Sequence, residues 1–283
     1  MTELFSQYLS EIDKALIREL DLYSWSEFYA PLRYACDGGK RIRPLILLLS
    51  AESIKSRRQI QQSIPESDDA FTAASAIELL HTESVIHDDI IDKESVRRGK
   101  PSFYVKYGYN NSILTADFVL GIILNIGSRL HNPCVSVELS KAALKMSEGE
   151  IMEIKLSKSS KINEDDYIKV LEHKTASLFE ASAKIGAILS GGVEDQIHAM
   201  AMFGSLLGIA YQIHDDLMDW NNEDRLFNLL VRKNGHSREF VDRMEDLYFS
   251  YSAKAKNELR KVPDGTSKRH LERLTDLTSL KLQ

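Results

Sequence analysis

The chain has 283 residues, 43% hydrophobic and 28% charged, with 36 Lys and Arg against 42 Asp and Glu. A net charge of −6 with no basic stripe excludes the electrostatic footprint of a nucleic-acid binder. Cys36 and Cys134 lie far apart in no metal-ligand spacing, so reduced thiols in a cytoplasmic setting are expected, with no disulfide framework.

Acids appear early (Glu3, Glu11, Asp13) and no signal-peptide pattern is present. Phe5, Leu9, Ile12, Leu16 and Leu20 form a stripe at steps of three and four, which predicts a helix over 2–22. A second helix is expected over 25–35, ended by Gly38 and Gly39. Pro44 suits the first turn of a third, expected to reach Arg58. Its apolar run, Leu45 to Leu49, is not exceeded in length elsewhere in the chain and is too short to span a bilayer, so no transmembrane segment is expected. Lys40, Arg43 and their neighbour Arg41 cluster at this Gly-rich helix start, where amides and cations together favour an anion.

Residues 59–69 read as a loop, with Asp68 or Asp69 capping a helix over 70–92. KESVRRGKPSFYVKYG follows, and its Arg97 and Arg98 can grip phosphate oxygens. Asn111 or Ser112 is expected to cap a helix to Leu130. Another follows Pro133 to Leu156 and carries Glu148, Glu150 and Glu153. Asn163 with Asp166 forms a capping arrangement for one long helix that bears Lys174 and Thr175 and ends at Gly191 and Gly192. The Glu194–Asp219 helix and shorter covering helices complete the chain. No period-two alternation calls for strands.

Two stretches carry the chemistry. The 70–92 helix closes on HDDIID, with Asp88, Asp89 and Asp92; the Glu194–Asp219 helix closes on HDDLMD, with Asp215, Asp216 and Asp219. Acids four apart share a helix face and repel by a few tenths of a kcal/mol. Two such ends on otherwise apolar helices predict facing carboxylate clusters that need cations. Mg²⁺ takes oxygen ligands and shares carboxylates with substrate phosphates, so a Mg²⁺-bound diphosphate is the expected ligand. The expected architecture is a single all-α domain over 1–283, a helical bundle with both motifs aimed at a central cavity.

With these residues in place, the chain resembles the trans-isoprenyl diphosphate synthases, the polyprenyl synthetase family. GGKRIRP, ELLHTESVIHDDIID, RRGKPS, LTADFVL, HKTA and YQIHDDLMD occur in the family's order. The resemblance implies a homodimeric, all-α enzyme that joins isopentenyl diphosphate to an allylic diphosphate using Mg²⁺. It assigns Lys40, Arg43, His81 and Arg98 to isopentenyl diphosphate, and Arg97 and Lys174 to the allylic diphosphate. Asp88, Asp89, Asp92, Asp215, Asp216 and Asp219 become the metal ligands, and Thr175 and Gln212 line the reacting carbons. Glu83 and Ser84 fall where the family's growing tail passes.

Two departures stand out. DWNNEDRLFNLLVRKNGHS lacks the Gly-Lys pair that the family carries after the second motif, leaving Arg225, Arg232 and Lys233 as substitutes. Glu83 stands where an aromatic or small residue is usual, and a carboxylate in an apolar tunnel is costly unless paired or protonated. Facing the tunnel, it implies a short product, geranylgeranyl before farnesyl diphosphate; paired with Lys141 or Lys145, a longer one. Rival readings are a class I terpene cyclase, a prenyltransferase with another acceptor, a non-catalytic subunit of a heteromeric synthase, and a di-iron bundle built on Glu78 and His81. The di-iron reading needs a second E-x-x-H pair, which the chain lacks.

Overall fold

The computed structural model describes residues 2–54, 69–159, 161–218, 226–235 and 238–277. Among them the chain is helical, and its β content is a two-residue antiparallel ribbon, Val96–Arg97 against Lys100–Pro101. The all-α expectation holds. By its contacts the chain forms two compact units, Met1–Leu48 with Ser63–Val137, and Leu49–Gln62 with Glu138–Gln283.

The first unit contains α1 (Thr2–Asp21), α2 (Tyr29–Cys36), the start of α3 (Ile42–Ile54), α4 (Asp69–Ile91), α5 (Phe103–Tyr107) and α6 (Tyr109–Arg129), and it ends within α7 (Pro133–Ser157). Helix α4 packs against α1, α2, α5 and α6. Residues 72–80 of α4 are buried without interruption, as a helix surrounded by others requires. Helix α6 starts earlier than expected, at Tyr109. Asn111 and Ser112 bond back to the carbonyls of Tyr107 and Gly108 instead of capping it. Residues 55–68, including most of the expected loop, lie outside the described residues.

The second unit holds α8 (Glu164–Leu171), α9 (Ser177–Leu189), α10 (Glu194–Met218), α11 (Leu226–Lys233), α12 (Arg238–Glu258) and α13 (Thr266–Leu277). Asn163 and Asp166 form the expected capping box at the start of α8. The single long helix expected here is instead interrupted by a π-helical turn, Glu172–Ala176, which carries Lys174 and Thr175. Such turns are a recurrent feature of functional sites.

Helix α10 packs against α9 and α12. A Cβ on Gly204 would lie 2.4 Å from the carbonyl oxygen of Phe179, and one on Gly208 would lie 2.6 Å from Ala176 Cα. Backbone therefore meets backbone, with no side chain able to yield. Gly204→Ala gains helix propensity, about 1 kcal/mol, but is expected to destabilise by about 1–3 kcal/mol net through overpacking. Urea unfolding checks this, and an unchanged midpoint would contradict so close an approach.

Candidate active site

In the first unit the acidic motif ends α4. The Asp92 N–H donates to the Asp88 carbonyl at 2.8 Å, which keeps Asp88 and Asp92 one helical turn apart. Asp88 is half-buried and Asp92 exposed. Asp89 differs from both. Its side chain is 3% exposed and accepts Arg97 Nε at 2.8 Å and Nη2 at 2.5 Å, with the Phe103 N–H as a further donor. Burial pushes the Asp89 carboxyl upward, and Arg97 opposes the shift. Asp89 is thus committed to Arg97 and turned away from its two motif partners. Arg97 remains 33% exposed beside it.

The basic turn lies in the same unit. Gly38 and Gly39 adopt φ of +76° and +108°, which glycine tolerates without a Cβ penalty. A Cβ on Gly39 would approach the Arg98 guanidinium to 3.0 Å, so glycine there admits Arg98, whose Nη1 donates to the Gly38 carbonyl at 2.9 Å. Arg41 is buried at a left-handed φ of +51°, where a side chain costs about 1–2 kcal/mol. It donates to Glu78 at 2.6 Å, Asp13 at 2.8 Å and the Cys36 carbonyl at 2.6 Å. Those bonds occupy Glu78, which accounts for this buried acid without a di-iron centre. Burial first, then the charges of Arg43, Arg98, Arg41 and Arg97, hold the His81 imidazole well below its ordinary pKa, so it is neutral. Lys40 is exposed and Arg43 half-buried. Asp89, Arg97, Arg98, Val85, Ile86 and Phe103 line one small cleft.

Glu83 pairs with His87, Oε1 to Nδ1 at 3.4 Å. Burial raises its carboxyl, His87 lowers it, and Asp117 of α6 raises it further. Lys141 and Lys145, the partners considered from sequence, bond Glu138 and Glu180. A local i,i+4 neighbour takes the place of the distant lysine that was one of two alternatives for Glu83. Ser84 donates to the His81 carbonyl at 2.9 Å.

In the second unit the middle acid is again buried. Asp216 accepts the Tyr167 hydroxyl at 2.7 Å and Gln212 Nε2 at 2.9 Å. Gln212 in turn accepts the Thr175 hydroxyl at 3.1 Å, so Thr175 and Gln212 are brought together. Asp215 is 36% exposed, with His214 Nδ1 3.7 Å away. Asp219 and Arg225 lie outside the described residues. Lys233 donates to the Ile162 carbonyl. Lys174, expected to face a diphosphate, lies between Glu150 and Glu153, at 2.5 and 2.7 Å. Tyr167, Glu150 and Glu153 were not singled out as site residues from sequence. Tyr167 reads as a core aromatic, and only the i,i+3 spacing of the two acids hinted at a shared partner.

Residues 26–228 match the polyprenyl synthetase family model. The chain is 36% identical over 216 residues to a geranylgeranyl diphosphate synthase of Methanosarcina mazei, covering 74% of this chain and 64% of that protein. It is 31% identical over 232 residues to one of Sulfolobus acidocaldarius, covering 78% and 68%. The chain thus spans about two thirds of the length of these relatives. A solved geranylgeranyl pyrophosphate synthetase from the archaeon Geoglobus acetivorans superposes with a TM-score of 0.81 at 25% identity, over 96% of this chain and 99% of that one. The family match, the relatives and the shared fold agree: the chain belongs to the polyprenyl synthetase family.

Proposed function

We propose that the protein is a short-chain trans-prenyltransferase that joins isopentenyl diphosphate to an allylic diphosphate. The observation that carries this reading is the common treatment of the two acidic motifs. Each buries its middle carboxylate and commits it to a fixed hydrogen-bond partner, while its neighbours stay nearer solvent. Asp88, Asp92 and Asp215 offer hard oxygen ligands of the kind Mg²⁺ shares with phosphates, and Asp219 joins them by its motif position. Asp89 and Asp216 position their helix ends. When bound, the metal acts as a Lewis acid on the leaving diphosphate. The family match runs through both units, which supports treating 1–283 as one functional domain.

The residues divide the remaining work. Lys40, Arg43, Arg98 and neutral His81 hold isopentenyl diphosphate, whose own diphosphate survives the reaction. Arg97 and Lys174 hold the allylic diphosphate. Its C–O bond breaks heterolytically and the electron pair leaves with the diphosphate. The isopentenyl double bond attacks the allylic cation, and the adduct sheds a proton to the released diphosphate, so no side-chain nucleophile is needed. Thr175 and Gln212 line the reacting carbons, where an apolar wall excludes water. A cyclase or an inactive subunit has no use for two whole acidic motifs together with Lys40, Arg43 and His81. Asp88→Ala and Asp215→Ala are each expected to lower turnover by several orders of magnitude with an unchanged circular dichroism melt. Near-normal turnover in either would overturn the reading.

The product follows from Glu83. Leu80, Ile77, Ala76 and Ala73 supply successive buried turns of α4 behind it. With His87 as its partner, Glu83 keeps polar character one turn from Asp88 and stops the growing tail early, favouring geranylgeranyl over farnesyl diphosphate. Glu83→Ala moves that floor back by one turn, about 5.4 Å, and is expected to lengthen the product by one isoprene unit. Chromatography of dephosphorylated products reads this out, and an unchanged distribution would remove Glu83 from the tunnel.

The same reading makes the protein a cytoplasmic homodimer. By length and composition α6 could cross a membrane, yet one of its faces packs on α4. On it Tyr109, Ile113, Leu120 and Leu124 remain exposed at steps of four, seven and four. That stripe suits a second copy of the same helix. Leu124→Asp is expected to shift sedimentation in detergent-free buffer from dimer to monomer. A wild-type monomer, or a protein that requires detergent, would contradict the assignment.

A further inference from the structure

In the second unit two carboxylates share one ammonium. Glu150 and Glu153 stand one turn apart on α7, and Lys174 Nζ reaches both, at 2.5 and 2.7 Å. The side chains of Lys174, Glu150 and Glu153 are only 23%, 15% and 25% exposed, so water and salt screen them weakly. The approach is enforced by the backbone. Gly149 lets α7 come so near the π-helical turn that a Cβ there would lie 2.4 Å from the Lys174 nitrogen. The Lys174 backbone is therefore held beside these acids while the helices stay packed, and only its side chain is free to swing.

The charges do not balance: one ammonium and two carboxylates sum to −1. A single acid would have neutralised the lysine, and a half-buried surplus charge costs stability. Nor is the triad isolated. The Glu153 charge reaches the buried Tyr167 hydroxyl, which donates to Asp216 of the second acidic motif. An anion approaching this part of the unit meets a lysine already claimed and a local field that repels it.

We infer that Glu150 and Glu153 compete with the allylic diphosphate for Lys174, and so set a deliberately loose hold on that diphosphate. This rests on the reading of Lys174 as an allylic-diphosphate cation and adds positioning residues to it. Each binding event draws Lys174 from its acids toward the phosphate, and each release returns it. The acids hold the place of the diphosphate between turnovers and keep the released pyrophosphate from being retained. The missing Gly-Lys pair after the second motif weakens the grip in the same direction.

Calorimetric titration of inorganic pyrophosphate with Mg²⁺ into wild type, Glu150→Gln, Glu153→Gln, the double variant and Lys174→Met tests this. Removing one carboxylate is expected to tighten pyrophosphate about threefold and removing both about tenfold. The KM for the allylic substrate should fall in step, with that for isopentenyl diphosphate unchanged, a split that a merely structural role would not produce. Weaker or unchanged binding in the Gln variants, with Lys174→Met also weakened, would overturn the inference alone. Wild-type binding by Lys174→Met would overturn the role of Lys174 itself, and the inference with it. If the double variant does not fold, Glu153→Gln, the more exposed change, decides the question.

Discussion

An α-helix turns by 3.6 residues, so two consecutive side chains cannot point the same way. In each D-D-x-x-D motif this forces the middle acid off the face shared by the outer two. The protein uses that constraint by burying the displaced acid against hydrogen-bond donors. Asp89 takes Arg97 and the Phe103 N–H; Asp216 takes Tyr167 and Gln212. A buried carboxylate is tolerable only when bonded in this way. Once bonded, it fixes the rotation of the helix end and therefore the direction of its neighbours. The outer acids of each motif are thus aimed by the bonded acid between them.

A second buried pair does similar work for the basic turn. Arg41 holds Glu78 and the Cys36 carbonyl while its own backbone stays in the left-handed region. Removing either partner of such a pair would leave an uncompensated charge, at about 3–5 kcal/mol. The strained turn persists because these bonds over-determine it. Lys40 and Arg43 are carried on that turn, and Arg98 lies against its glycines. The concentration of positive charge has a direct consequence for His81, which stays neutral and can act as a hydrogen-bond donor without adding charge.

Much of this was legible in the sequence. The apolar stripes, the Gly-Gly break and the Asn163–Asp166 capping box are local signals, and they appear as elements where those signals fall. The chemistry-bearing residues were legible as motifs, but their partners were not. Arg41 groups with Lys40 and Arg43 as a cation for an anion, because nothing local shows that Glu78, 37 residues on, claims it. The π-helical turn was invisible because it coincides with a backbone approach at Gly149, a tertiary contact with no local pattern. Glu83 shows the opposite error. Its partner His87 was available at i+4, and a more distant lysine was considered instead. The divided roles within each acidic motif were implicit in helical geometry and needed only the burial of Asp89 and Asp216 to become explicit.

The central claim is that these two sets of positioned residues make carbon–carbon bonds between prenyl diphosphates. The most direct measurement incubates the purified protein with labelled isopentenyl diphosphate, Mg²⁺ and a series of allylic diphosphates, and separates the products after dephosphorylation. The account predicts label in a linear prenyl diphosphate, chiefly geranylgeranyl, formed only when both substrates and Mg²⁺ are present. Cyclic products made from the allylic substrate alone, or no incorporation with any allylic partner, would contradict it.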